Sequence, residues 1–389
     1  MAFSDVRAAV VGVGFIGVAH VEALRRIGVD VVGVVGSTRE RARRKAAAAN
    51  LPRVYETYDE LLGDGRVDVV HVASPNHVHA NQVRAALDAG KHVVCEKPLA
   101  LSRDDTADLL HRARDSRLVN AVCFNIRFYP LCHQMQALVA SGSIGPPRLI
   151  SGSYLQDWLL LPTDWNWRLV PEEAGALRAI ADIGSHWFDL SRFVTGLRIV
   201  EVMADIHTFV PVRRHPAGPV ETFAAAGVSG ELIEEEVSSD DAATILLRYE
   251  DGARGAVTIS QVSAGRKNSV TIEVDGSGSA LGWFSEDPDR LWIGHRGRPN
   301  EILQRDPSLV DPGVARLIGY PGGHVEGYPD TFRALFAEVY ADVERGGPSD
   351  PPAYPTFADG HDAVSVTEAV ARSSAEQTWV EVKRLKEDR

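Results

Sequence analysis

An α/β chain in two parts is predicted: a doubly wound parallel sheet over residues 1–125, then a mainly antiparallel sheet with flanking helices over residues 126–389. Three observations predict it. The apolar run Ala8-Ala9-Val10-Val11 passes straight into Gly12-Val13-Gly14-Phe15-Ile16-Gly17. Strand-like and helix-like stretches then alternate as far as Phe124, the pattern of parallel strands joined by right-handed crossovers. Past Asn125 the apolar period changes to two, and turn pairs such as Asp251-Gly252 and Asp275-Gly276 separate several of the runs.

Val6–Val11 is the first strand: apolar and without alternation, as a strand covered on both faces must be. Val18–Ile27 is the helix behind the glycines, Val29–Val35 the next strand, and Arg39–Ala49 an Ala- and Arg-rich helix. Val67–Ala73 is a buried strand, Val78–Ala89 a helix closed by Gly90, and His92–Cys95 a further short strand. Ser102 caps a helix over Asp104–Ser116, with Asp105 three residues on as its capping-box partner, and Val119–Phe124 is the last strand of this part. A helix over Leu131–Ser141 opens the second part and ends near Gly142. Strands follow at Arg148–Tyr154, Val200–Phe209, Ala243–Tyr249, Gly255–Val262, Ser269–Asp275, Ala280–Phe284 and Leu291–His295. Pro211–Ser239 mixes Pro, Gly, Ala and acids and reads as a long loop. Tyr328–Gly346 and Thr356–Ser374 read as helices, with Pro351–Tyr354 a local linker between them, and no internal repeat is visible.

Composition excludes several classes. At 389 residues the chain exceeds what one core usually supports, ~250–300 residues. A net charge of −12 argues against a binder of nucleic-acid backbones. Three cysteines, Cys95, Cys123 and Cys132, are too few for a disulfide framework, and none forms a Cys-x-x-Cys pair. No apolar run approaches the ~20 residues of a membrane span, and the first residues lead into a strand without a secretory leader. A cytoplasmic location is expected.

Four clusters carry chemistry. In the first, Gly12 permits a tight turn, Gly14 lets backbone approach a pyrophosphate, and Gly17 lets the helix pack on the strand. Phe15 and Ile16 supply N–H groups at the helix start, where the dipole favours phosphate. About twenty residues on, where an NAD site usually carries an acid for the ribose 2′-OH, the chain reads Gly36-Ser37-Thr38-Arg39. Two hydroxyls and a guanidinium suit a 2′-phosphate, so NADP(H) is favoured over NAD(H), although Ser37 and Thr38 also suit the cap of the next helix. In the second, Ser74-Pro75-Asn76 and His79 follow the carboxyl end of a buried strand, where ligands bind in such sheets; Asn76 is a candidate for the nicotinamide half. The plainer alternative makes Asn76 a helix cap and His77 and His79 surface residues. In the third, Glu96-Lys97-Pro98 ends another buried strand. Its alternatives are a lysine that hydrogen-bonds a substrate hydroxyl and the nicotinamide ribose, or a rim ion pair of Glu96 with an arginine. In the fourth, Asp182, His186 and Asp189 share one face of a helix, and a carboxylate beside an imidazole makes a proton acceptor near neutral pH. No second ligand group with suitable spacing accompanies them, so no metal is expected.

Gly12-x-Gly14-x-x-Gly17, Glu96-Lys97-Pro98 and Asp182-x-x-x-His186, in that order and separation, resemble the glucose–fructose oxidoreductase, inositol dehydrogenase and rhizopine catabolism (Gfo/Idh/MocA) family over nearly the whole chain. The resemblance implies an N-terminal Rossmann doubly wound parallel sheet plus a C-terminal α/β domain with a large, open, mainly antiparallel sheet. It implies a homodimer or homotetramer formed through that sheet, and NAD(P)-dependent oxidation or reduction of a hydroxyl carbon in a sugar, cyclitol or related polyol. It assigns a substrate and cofactor role to Lys97, the acid/base role to His186, and a substrate-binding role to Asp182. The family's aromatic-x-x-Arg segment corresponds to Phe124-Asn125-Ile126-Arg127, which makes Arg127 a site residue. Gly36 is the departure from NAD-using members.

Two more stretches look pocket-like. Gln156 and Trp158, with Trp167 and Arg168, combine aromatic faces with polar groups, as carbohydrate sites do. The Tyr154–Trp158 run also resembles a subgroup acting on sugars and anhydrosugars. His324 and Tyr328, in a Gly-rich loop entering a helix, are expected to close the substrate pocket. The reading is therefore a dehydrogenase with His186 as acid/base and Lys97 as electrostatic partner. Its rivals are a sugar oxidoreductase with non-dissociating nucleotide, a reductase of a non-sugar carbonyl, and a nucleotide sensor without catalysis.

Overall fold

The computed structural model describes residues 3–217 and 232–385. In chain order the elements are β1 (Arg7–Val11), α1 (Phe15–Arg26), β2 (Asp30–Val35), α2 (Arg39–Ala48), α3 (Tyr58–Leu62), β3 (Val69–Val72), α4 (Asn76–Asp88), β4 (His92–Cys95), α5 (Arg103–Ser116), β5 (Asn120–Val122) and α6 (Pro130–Ala140). Then come β6 (Pro147–Leu155), α7 (Pro171–Ala174), α8 (Ser185–Thr195), β7 (Ile199–His207), β8 (Val212–Pro216), β9 (Leu232–Glu236), β10 (Ala242–Tyr249), β11 (Arg254–Ser260), β12 (Ser269–Gly276), β13 (Ala280–Phe284), β14 (Arg290–Gly294) and β15 (Glu301–Gln304). Last are α9 (Pro312–Ala315), α10 (Tyr328–Arg345), α11 (Phe357–Glu376) and β16 (Val380–Glu381). Two compact units result, Met1–Asn125 with Tyr328–Val364, and Ile126–Gly327 with Ser365–Arg389.

The first unit holds a parallel sheet in the order β2-β1-β3-β4-β5. The largely apolar runs explain it, since Ala8–Val10 and Val69–Val72, His71 included, are fully buried. From β1 the chain winds one way to β2 and then the other way through β3, β4 and β5. The carboxyl ends of β1 and β3 flank that reversal, where open α/β sheets bind ligands. Tyr328–Val364 joins this unit because Phe332, Phe336 and Tyr340 repeat every four residues along α10 and bury one stripe, with Phe332 and Phe336 against His20 of α1. Helix α3, absent from the sequence reading, has five residues, too few for periodicity to register, and its cap is Thr57, which accepts from Glu60 N. Helix α4 starts at Asn76 with Pro75 as N-cap, so Asn76 is the first helical residue and not the cap.

The second unit is built on a nine-stranded sheet, β15-β14-β13-β12-β6-β11-β10-β7-β16. Every neighbouring pair is antiparallel except β6–β11. Alternation puts Ile150, Ile259 and Ile272 in a core with Trp187 and Phe188 of α8. On the opposite face Met203 and Leu246, paired across β7–β10, are exposed, as is Leu149. The stretch expected as a loop, Pro211–Ser239, holds β8 and β9, which pair antiparallel. Their alternation was hidden by Pro, Gly and acids: Arg213 and His215 are buried between exposed neighbours. Residues 218–231 of that stretch lie outside the described residues. Among the described residues, no helix is long and apolar enough to cross a membrane.

Candidate active site

The glycine turn is built by close approach. Gly12 has φ +97°, and a Cβ there would lie 2.2 Å from the Ala73 carbonyl oxygen. A Cβ on Gly17 would lie 2.0 Å from the Gly12 oxygen, so α1 can pack on the turn after β1 only with glycine at position 17. Gly14 has open space where its Cβ would be and is the N-cap of α1. No side chain caps α1 and no acid lies in its first turn, which holds Phe15, Ile16 and Gly17. Open space at Gly14, at the start of a helix with no side-chain cap, fits a pyrophosphate. Gly36, in the usually acidic slot, is packed against Val13 and Ala42, which would lie 2.9 and 3.1 Å from a Cβ. Ser37 is exposed, Thr38 caps α2 by accepting from Arg41 N at 3.3 Å, and Arg39 is ion-paired with Glu56.

At the carboxyl end of β3, Ser74 Oγ donates to Gln82 Oε1 at 2.5 Å. His79 is fully buried, not a surface residue: Nδ1 lies 2.8 Å from the Pro98 carbonyl and Nε2 2.9 Å from that of Ser74. It ties the loop after β3 to the one after β4, and burial lowers its pKa. His77 is exposed. Glu96 pairs with buried His20 at 3.1 Å, which replaces the rim pair with an arginine. Burial would push the Glu96 carboxyl up, but the hydrogen bond to His20, the Lys97 ammonium and the Cys123 thiol outweigh it and hold it below the ordinary carboxylate range. Lys97, half-buried, follows directly. Tyr328, at the start of α10, packs its ring on Phe332.

The second unit holds most of the residues expected to bind substrate. A π-helical turn, Ile180–Gly184, carries Asp182 and runs into α8, which begins Ser185-His186. Such turns are frequent at functional sites. Asp182 Oδ1 accepts from Arg168 Nε at 3.1 Å, and Oδ2 from Gln261 Nε2 at 2.9 Å. The Arg168 guanidinium lies over Trp167 at 4.5 Å and near Trp158 at 5.9 Å. Gln156 Oε1 accepts from Trp158 Nε1 at 2.8 Å and from Gln261 Nε2 at 3.3 Å. Asn268 Oδ1 accepts from Gln156 Nε2 and from the Tyr154 hydroxyl. The Tyr154 ring lies 6.3 Å from that of His186. Burial, then Asp182, push the Tyr154 hydroxyl well up, so it stays protonated. Gln261 and Asn268 do not stand out in the sequence: a polar residue just after one strand, β11, or just before another, β12, is too common a signal.

Arg127 and His324, two further expected site residues, have partners of their own in this unit. Arg127 is buried, with its guanidinium forked onto Asp189, so it anchors α8. Asp189 is thereby committed to Arg127. His324 is exposed, with Nδ1 3.3 Å from the Pro321 carbonyl, and its loop is held by buried Arg305, which pairs with Asp289 and Glu326.

A doubly wound sheet with this glycine turn, in one chain with a second unit that carries a polar, aromatic-lined cluster, defines an oxidoreductase built on a dinucleotide-binding domain. The oxidoreductase family with an NAD-binding Rossmann fold matches residues 6–124, and the GFO/IDH/MocA C-terminal domain matches residues 132–281. The chain belongs to this family. Levoglucosan dehydrogenase of Pseudarthrobacter phenanthrenivorans is 29% identical over 331 residues, 84% of this chain and 82% of that protein. A solved levoglucosan dehydrogenase in complex with NADH and L-sorbose is 26% identical, with a TM-score of 0.87 over 98% of this chain and 99% of its own. An inositol dehydrogenase homologue from Azotobacter vinelandii, with NADH and myo-inositol, is 27% identical, with a TM-score of 0.84 over 98% and 100% of the two chains.

Proposed function

We propose an NAD(P)-dependent dehydrogenase that acts on a hydroxyl carbon of a sugar, anhydrosugar or cyclitol. The Arg168 cluster carries this reading. Two indoles, a guanidinium, the Asp182 carboxylate and the amides of Gln156 and Gln261 converge there. Rings cover C–H faces while polar groups hold hydroxyls, which is what a polyol requires. Levoglucosan, L-sorbose and myo-inositol, named with the relatives, are small polyhydroxylated molecules of this kind.

When bound, the nicotinamide dinucleotide supplies the hydride acceptor or donor. Gly12, Gly14, Phe15, Ile16 and Gly17 hold its pyrophosphate, and Ser74, Pro75 and Asn76 its nicotinamide half. His186 takes the hydroxyl proton in oxidation and returns it in reduction. Asp182, fixed by Arg168 and Gln261, orients the substrate. Lys97 stabilises negative charge on the reacting oxygen, and Glu96 supports it. The absence of a carboxylate over Gly36–Arg39 favours NADP(H), with Ser37 and Arg39 as the 2′-phosphate partners. Arg39 must then exchange Glu56 for phosphate. The exposed Met203–Leu246 face supports assembly of copies through the sheet. Three free, buried cysteines suit the reducing cytoplasm.

Fluorescence titration with NADPH and NADH is expected to give tighter binding of NADPH; tighter NADH binding would reduce Ser37 and Thr38 to their capping role. Lys97→Ala is expected to lower turnover of levoglucosan or myo-inositol by ~10²–10³-fold with nucleotide binding retained. Near-native turnover in that variant removes Lys97 from the mechanism.

A further inference from the structure

Away from Lys97, the partners of Glu96 form a buried chain. His20 Nε2 lies 3.1 Å from Glu96 Oε1, His20 Nδ1 3.0 Å from His71 Nδ1, and His71 Nε2 2.9 Å from the Tyr340 hydroxyl. His20, His71 and Tyr340 are each 0% exposed, and Phe332 and Phe336 sheathe the two imidazoles. The chain is therefore buried from the Tyr340 hydroxyl to His20.

Proton accounting gives it a direction. Of two facing Nδ1 atoms, one donates and one accepts. If Tyr340 donates to His71 Nε2, then His71 Nδ1–H donates to His20 Nδ1, and His20 Nε2–H donates to Glu96. Both imidazoles are then neutral, Glu96 is ionised, and every ring nitrogen is used. Burial keeps His71 neutral. The reverse order needs either a proton on Glu96, whose other oxygen already faces the Lys97 main-chain N–H at 3.3 Å, or a second proton on His20, a charge fully buried between Phe332 and Phe336. The Cys123 thiol also donates to Glu96, and Lys97 and His79 lie within its electrostatic reach. Asp68, on the far side near Tyr340, is the remaining charge.

We propose that Tyr340, His71 and His20 form a one-way hydrogen-bond chain that holds the Glu96 carboxylate ionised and fixed beside Lys97, making all four positioning residues for the lysine. This rests on the role given to Lys97 above. A His20 nitrogen, a Glu96 oxygen and the Cys123 sulfur also lie within 4.8 Å of one another, as metal ligands would. The proton chain accounts for the two histidines and the carboxylate without an ion.

Long-range 1H–15N NMR of 15N-histidine-labelled protein tests the direction without any substrate. His20 is expected as the Nε2–H tautomer and His71 as the rarer Nδ1–H tautomer, with assignments from His20→Gln and His71→Gln. Tyr340→Phe is expected to shift or average the His71 and His20 signals. It should lower kcat about fivefold, the scale of one buried hydrogen bond, and Glu96→Gln should lower it by roughly 10–100-fold, the scale of a charged one. NADH and NADPH binding should be unchanged in both. His71 as Nε2–H, metal retained stoichiometrically through purification, or native kcat in both variants overturns the proposal. An active Lys97→Ala enzyme defeats the functional reading instead, whatever the tautomers are.

Discussion

Replacing His186 with alanine is expected to cut turnover by ~10²–10⁴-fold, the usual contribution of a positioned base, while the protein stays folded and binds nucleotide. The expectation rests on where the imidazole is held. His186 lies at the start of α8, directly after the π-helical turn that carries Asp182, and is 7% exposed. The next two residues, Trp187 and Phe188, are core residues, and Trp187 Nε1 donates to the Thr271 carbonyl at 3.0 Å. Arg127 pins the same helix through Asp189. The helix is therefore fixed by neighbours that the substitution leaves alone. Steady-state kinetics with levoglucosan and myo-inositol, with NAD+ and NADP+, provide the check, and circular dichroism verifies the fold. Added imidazole should restore part of the lost activity, because it replaces the proton acceptor without rebuilding the helix. A variant that keeps near-native kcat would falsify the acid/base assignment of His186.

Legibility in the sequence followed the range of the forces involved. The parallel sheet was readable because β1, β3 and β4 are covered on both faces and so are mostly apolar, His71 within β3 and the end residues Arg7 and His92 apart. The glycine turn was readable because close backbone approach leaves no other residue at Gly12 and Gly17. Strands β10 to β13 were readable from alternation, but β8 and β9 were not, since their buried positions include Arg213 and His215. An arginine buried against a distant carboxylate looks like a surface residue until its partner is known. The same reason explains Arg127, which resembled a substrate ligand and is bound to Asp189 62 residues away. It also explains Glu96, whose partner His20 is 76 residues earlier. Local patterns reveal elements, whereas the pairing of buried charges depends on the finished fold.

The largest loss of stability is expected from Asp241→Ala. Asp241 is fully buried and holds two fully buried guanidiniums: its Oδ1 accepts from Arg178 and, at 2.9 Å, from Arg213 Nη2. Its Oδ2 accepts from Val210 N at 2.7 Å. Alanine removes the carboxylate that the two guanidiniums share, and breaking a buried pair costs ~3–5 kcal/mol. For a unit of this size each kcal/mol lowers Tm by about 2–4 °C, so a fall of roughly 10 °C should appear by calorimetry. The loss reaches the site as well, because Arg178 leads into the π-helical turn. Asp240 accepts from the main-chain N–H groups of Arg178 and of Ile180, where that turn begins. Loosening Arg178 should therefore raise the KM for the polyol more than it alters nucleotide binding, since Asp182 and His186 depend on that turn and the glycine turn does not. Replacing Arg178, Arg213 and Asp241 together by apolar residues of similar volume should recover part of the stability, because the penalty comes from unpaired charge and not from lost attraction. If Asp241→Ala melts within a degree or two of the native protein, the cluster is not what holds the turn, and the packing of Trp187 and Phe188 must do so alone.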